Sequence, residues 1–184
     1  FVDAVSSPLS HLVSSQSMLS KAKLPWEAIM IAGLGEVLFN FTVRLVLLVG
    51  VMVLFHVAVP ATALLAPLGV LALMLLGSAI GLWLVPVGML YPDIQRGLGI
   101  VTAFWFLITP VVYVPPSSGP AALLVRLNPV TPLLVATRDW ITGGAAGDMS
   151  RFGIIAACSF VLLIAGWVVH RLAVPHVIVR LSAQ

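Results

Sequence analysis

The sequence predicts an all-α, polytopic membrane bundle with about four transmembrane helices, and three observations predict it. Of 184 residues, 61% are hydrophobic and 8% charged, with a mean hydropathy of +1.17. A soluble domain of this length carries roughly a quarter charged residues. The apolar residues gather in four runs, at about 26–55, 62–90, 97–114 and 152–172, against the ~20 residues needed to cross a ~30 Å hydrocarbon layer. Finally, Pro110 falls where the composition is still that of a membrane segment. A proline inside a helix frees a backbone carbonyl, and lipid offers no replacement donor. The third run is therefore expected to end in a proline-broken, re-entrant outer segment. Residues 1–184 read as one transmembrane domain.

Before the first run, residues 1–24 are serine-rich and carry Asp3, His11, Lys21 and Lys23. From His11 onward a loose helical stripe of Leu9, Leu12, Val13, Gln16 and Leu19 predicts an amphipathic helix over about 11–24. It would lie on the membrane face or dock onto a partner. Pro25 suits the first turn of the next helix, and Glu27 suits its positive N-terminal end. The sequence opens at Phe1 with no signal-peptide pattern, and a missing N-terminal part is expected.

The first run holds Glu36, Asn40 and Arg44 at a spacing of four. That spacing sets all three on one helix face, where Asn40 would bridge the two charges. Two roles stay open: a structural polar ladder between helices, or a substrate-facing surface. In the second run Gly69, Gly77, Gly81 and Gly88 share a face, and Gly77 with Gly81 forms a small-xxx-small pair for close helix packing. Pro86 is expected to kink its inner end. Tyr91–Arg96 is a polar turn with Asp93 and Arg96, too polar for lipid. The third run carries Phe104, Trp105 and Phe106.

From Pro115 to Arg151 the chain is expected to leave the hydrocarbon, with short helices over 121–127 and 133–141 at the outer surface. The fourth run is a clean span, and residues 173–184 form a short tail. Four crossings put Lys21, Lys23, Arg96, Arg171 and Arg180 on the cytosolic side and Arg126, Arg138 and Arg151 outside. Trp26, Tyr91, Trp167, Tyr113 and Trp140 would mark the two interfaces. Cys158 reads as a small buried hydrophobe. His11, His56, His170 and His176 are scattered, and each reads as an interfacial residue.

Catalytic patterns are missing. There is no GxxxxGK[ST] loop, HExxH, GxSxG, CxxC or paired histidine cluster. No catalytic residue, metal ligand or nucleic-acid footprint is expected, and transport remains, driven from elsewhere.

Three stretches then carry a resemblance. Ser14-Ser15-Gln16-Ser17-Met18-Leu19-Ser20-Lys21-Ala22-Lys23-Leu24-Pro25-Trp26-Glu27 resembles an "N-x-LI-x-K-x-x-FP-x-E" segment. Tyr91-Pro92-Asp93-Ile94 resembles a "YRDI" turn, and Thr109-Pro110-Val111-Val112-Tyr113 a "TPViY" segment. Asn128-Pro129-Val130 through Arg138 resembles "NPl…R". In this order they resemble the ABC-2 type permeases, above all exporters of polysaccharide, O-antigen or teichoic acid. Pro92 replaces the usual arginine, and Leu24 the usual aromatic.

The resemblance implies helices three to six of a six-helix permease, with an amphipathic helix and two membrane helices before Phe1. It implies a homodimer in a bacterial inner membrane and a separate ATP-binding subunit that holds ATP and Mg. Ser17, Lys21, Lys23, Pro25, Glu27, Asp93 and Arg96 would meet that subunit. Phe104, Trp105, Thr109, Pro110 and Tyr113 would line or gate a conduit for a lipid-linked glycan. An ABC-2 drug or lipid exporter, a secondary transporter using Glu36, and a membrane scaffold are the alternatives.

Overall fold

The computed structural model describes residues 1–15, 26–56, 59–111, 113–114, 118–144 and 147–182, with side chains undescribed at 26–27, 92 and 173–182. These residues form α1 (Val2–Ser14), α2 (Trp26–Leu54), a 3₁₀ turn (Ala61–Leu65) and α3 (Ala66–Gly88). Then come α4 (Pro92–Ile108), α5 (Pro120–Leu127), α6 (Val130–Thr142) and α7 (Met149–Ser182). Three helical stretches are long and apolar enough to cross a membrane: Ala28–Leu54, Ala61–Gly88 and Met149–Leu172. A fourth arises if α5 and α6, bent by 84° at their junction, count as one span. The chain is an all-α, multi-pass bundle.

Helix α3 is the central element, and its glycine face explains why. Apolar side chains gain little by leaving lipid for one another, so membrane helices associate through close packing at small residues. A methyl group added to Gly77 would sit 2.8 Å from the Ala4 Cβ and 2.9 Å from the Phe1 carbonyl. One added to Gly81 would overlap the Val5 carbonyl and approach Pro8 Cγ at 3.0 Å. Gly88 receives Leu9 in the same way. These contacts advance together along both helices, so α1 runs parallel to α3. Gly69 faces Thr137 and Trp140 of α6 instead. On the remaining side Gly166 of α7 admits Trp83, whose Nε1 donates to the Leu162 carbonyl at 3.0 Å.

Helix α1 is therefore a buried element. Ala4, Val5, Leu9 and Leu12 are essentially inaccessible, and the last three share an apolar cluster with Leu82, Val85 and Met89. The described helix ends at Ser14, and its apolar stripe faces α3. Residues 16–25, which hold most of the expected 11–24 segment, lie outside the described residues.

Helix α4 begins at Pro92, so the expected turn is already helical, with proline in the first turn where its missing N–H costs nothing. Asp93 and Arg96 are exposed there and lie 3.8 Å apart. The helix stops at Ile108 after 17 residues, about 25 Å at 1.5 Å per residue, and does not reach Pro110. Thr109 is already extended (φ −80°, ψ 129°), as the ring of a following proline requires. Pro110 thus terminates α4 rather than breaking it. In α3, by contrast, the helix continues past Pro86 to Gly88.

Helices form where α5 and α6 were expected, but α6 is not at the outer surface. Leu133, Ala136 and Trp140 are buried among Ala72, Leu73, Leu76 and Phe152. Trp140 meets Phe152 edge-on at 5.3 Å, which removes it from an interfacial belt. His170 is fully buried, in the last turn of the span Met149–Leu172, and Cys158 is exposed rather than buried. Helix α7 continues through most of the expected tail, to Ser182. Its start is capped by Asp148, whose Oδ1 accepts from Ser150 Oγ and from the Arg151 backbone N–H. The Ser150 hydroxyl, and then the Arg151 N–H, hold the Asp148 carboxyl below its ordinary range. A depressed carboxylate stabilises the fold above its unfolded-state pKa, so the cap is intact at neutral pH and is lost only in strong acid.

Replacing Gly81 by alanine forces α1 off α3 and is expected to cost about 1–3 kcal/mol. Thermal unfolding in detergent measures it, with Gly35→Ala as the control, because a methyl group at Gly35 meets nothing within 4 Å.

Candidate functional site

Helix α2 runs antiparallel to α1, and an ion pair and a histidine–carboxylate contact set their register. Arg44 Nη1 lies 3.1 Å from Asp3 Oδ2, and Glu36 Oε2 lies 3.1 Å from His11 Nε2. On each helix an acidic residue precedes a basic one by eight positions, so antiparallel packing matches both pairs at once. Asn40 lies between the two charges of α2 but is exposed and makes no side-chain hydrogen bond among the described residues. It does not bridge them, because α1 offers each charge a nearer partner. Arg44 sits 16 residues beyond Ala28 and 10 before Leu54, near the middle of the span.

The Asp3–Arg44 pair forms one wall of a cavity of about 260 Å³. The other walls come from Leu73 of α3, Thr102, Trp105, Phe106 and Thr109 of α4, and Val130 and Leu134 of α6. Phe1 closes one side and meets Trp105 edge-on, with ring centroids 5.6 Å apart. Both members of the ion pair keep substantial exposure, at 71% for the Arg44 side chain and 48% for Asp3. An exposed charge in mid-membrane has to face water or other protein, because acyl chains cannot solvate it.

Asn128 supports the wall of this cavity. It precedes Pro129, is extended (φ −72°, ψ 116°), and ends α5. Its Oδ1 accepts from Val130 N–H at 3.0 Å, turning the chain into α6. The same oxygen accepts from Trp105 Nε1 at 3.0 Å. Its Nδ2 donates to Thr109 Oγ1 at 2.8 Å, and that hydroxyl donates to the Trp105 carbonyl. The side chain at one proline break is thus bonded to the side chain at the other. Asn128 and Thr109 are both buried.

The depth of this junction follows from α6. Thr62 Oγ1 donates to the Trp140 carbonyl at 2.9 Å, so the end of α6 lies at the start of the second span. Val130, at the other end of α6, packs with Ala72, Leu73 and Leu76. That level is about 10–15 Å along α3 from its first residue. The break at Asn128–Pro129 is therefore inside the bundle.

Among the expected conduit residues, Trp105 and Thr109 line the cavity and Phe104 does not, being 63% exposed on α4. Pro110 is fully buried. Tyr113 donates its hydroxyl to the Ile108 carbonyl at 2.7 Å and reaches that of Leu107 at 3.3 Å. It closes the C-terminal end of α4, whose last carbonyls have no helical donor. Of the expected ATPase-facing residues, Asp93 and Arg96 are exposed at the opposite end of α4 from the cavity. Ser17, Lys21, Lys23 and Pro25 lie outside the described residues, as does the Glu27 side chain.

Thr102, Asn128, Asp3 and His11 are the site residues that the sequence did not single out. Asp3 and His11 carried a signal: they repeat the spacing and the acidic-then-basic order of Glu36 and Arg44. Asn128 stood in the resemblance only as a motif letter. Among the described residues no three of His, Cys, Asp and Glu gather as metal ligands.

Asn128→Leu removes one acceptor and one donor from a buried junction and is expected to cost about 1–3 kcal/mol of stability in detergent. Asp3→Arg and Arg44→Asp should each lower the melting temperature, whereas the double swap recovers most of the loss. Failure of the swap to recover would show that the pair does not set the α1–α2 register. Comparison with protein-family models and with curated proteins finds no match for this chain.

Proposed function

We propose that this chain is the membrane-spanning permease subunit of an ATP-driven ABC exporter, moving a lipid-linked polysaccharide or similar glycan out of the cell. One observation carries the reading: an exposed ion pair, Asp3–Arg44, lies beside Trp105 and two threonine hydroxyls in a cavity halfway across the bundle. A plain anchor has no use for this arrangement, since charge in mid-membrane is expensive unless it borders a polar path. Broken helices at membrane depth are also characteristic of transport proteins, where they border a cavity. Trp105 and the hydroxyls offer an aromatic face and polar groups to sugar rings.

The resemblance of three segments to ABC-2 permeases supplies the partner. A second copy would complete the conduit, and a separate subunit would bind ATP and Mg and dock at the end where α4 begins. Residues 16–25, with Lys21 and Lys23, would receive its motion. The site would be the inner membrane of a bacterium. The chain itself would perform no chemistry and would hold no cofactor.

The test is reconstitution of the full-length protein with the ATPase encoded beside it. We expect a stable complex whose ATP hydrolysis falls several-fold on Lys21→Glu/Lys23→Glu. We expect Arg44→Gln and Trp105→Ala to abolish ATP-dependent glycan translocation into vesicles while the complex still assembles. Hydrolysis indifferent to charge reversal, or no complex at all, would refute the coupling. Translocation without any ATPase, driven by a proton gradient, would point to secondary transport.

A further inference from the structure

A second cavity, of about 300 Å³, lies between α5, α6 and the start of α7, on the far side of α6 from the conduit residues. Arg126 enters it from α5, Thr131 and Val135 from α6, and Asp148 and Arg151 from the α7 terminus. We propose that this cavity binds the phosphate of an anionic membrane lipid headgroup.

Two guanidinium groups and one carboxylate line the space. The carboxylate is already committed. Asp148 caps α7 and holds Arg151 through Nε at 3.1 Å. Arginine offers five N–H donors in a rigid fork that phosphate oxygens match in bidentate fashion. The second observation is independent of the charges. Thr131 is nine-tenths buried and its Oγ1 has no hydrogen-bond partner, on the wall of this same cavity. Buried hydroxyls in folded proteins are almost always bonded, so an orphan facing a cationic cavity is accounted for by an acceptor oxygen of a ligand. Arg151 lies in the first turn of the span that begins at Met149, so the cavity is reached from the headgroup level and Thr131 marks its inner end. Beside the cavity, Leu123, Leu124 and Leu127 of α5 are exposed and give the acyl chains an apolar surface.

The full-length protein in detergent should be titrated with dioleoyl phosphatidic acid, dioleoyl phosphatidylcholine and inorganic phosphate, with bound species counted by native mass spectrometry. Phosphatidic acid is expected to bind at least tenfold tighter than phosphatidylcholine, whose choline brings a cation to the two arginines. Arg126→Gln/Arg151→Gln should weaken phosphatidic acid binding at least tenfold. Thr131→Val, which keeps shape and charge, should weaken it several-fold with no change in elution or melting, and so tests the site even if the arginine variant fails to fold. Competition by millimolar inorganic phosphate supports recognition through the phosphate. Phosphatidic acid binding unchanged in Thr131→Val, or equal affinity for both lipids, overturns the proposal. Inorganic phosphate bound as tightly as the lipid overturns the lipid as occupant.

Discussion

A polar group freed from a helix inside an apolar bundle must be satisfied from within the protein, and this constraint governs the half of the molecule after α4. Thr109–Pro110 and Asn128–Pro129 each end a helix by the same steric rule, because the proline ring forces the residue before it out of the helical region. In water the loose ends would be solvated. Here Tyr113 returns its hydroxyl to the last carbonyls of α4, and Asn128 ties the start of α6 to Trp105 and Thr109. Without that amide, α4 and α6 would present unpaired donors and acceptors to hydrocarbon, and neither short helix spans the layer alone. The junction converts two fragments into one element and sets Trp105 and Thr109 at fixed positions on the cavity wall.

The other half depends on α3. Its glycines allow α1 to approach until backbone meets backbone, and this closeness fixes how far along α3 the short helix α1 sits. That placement brings Asp3 and His11 level with Arg44 and Glu36 on α2. These two polar contacts are thus downstream of the glycine face. Exposed pairs contribute little stability by themselves, commonly about 0–1 kcal/mol. Here they act as register marks between helices that other contacts already bring together.

Most of the membrane architecture was legible in the sequence, because length and hydropathy dominate where lipid is the solvent. The spans at 28–54, 61–88 and 149–172 fall within a few residues of the apolar runs. The glycine face was legible too, since its spacing alone places it on one side of a helix. What escaped was where short helices go. Residues 2–14 are serine-rich, which reads as a surface, yet Ser7 is buried against Gly33 and the apolar positions Val5, Leu9 and Leu12 face the core. Residues 130–142 hold Thr131, Thr137, Arg138 and Asp139, which reads as a short helix at the outer surface. The helix is buried because Thr137 returns its hydroxyl to the Leu133 carbonyl and fits the notch at Gly69. Asn40 shows the converse limit: its spacing predicted a bridge within α2, but partners on a neighbouring helix took the charges first.

The remaining constraint is electrostatic. Arg44 and Asp3 neutralise each other, but a neutral pair that is half exposed still carries a strong dipole, and hydrocarbon solvates a dipole poorly. The open side of their cavity must therefore be met by water or by more protein. A dimer placed across this face would supply both, with the partner copy enclosing a wet path between the two cavities. The outward faces of α2 and α7, rich in exposed Leu, Val and Ile, carry no such demand and suit lipid directly. The molecule is thus two-sided: apolar where α2 and α7 look outward, polar where α1, α4 and α6 converge. That asymmetry points the proposed conduit toward the convergence of α1, α4 and α6.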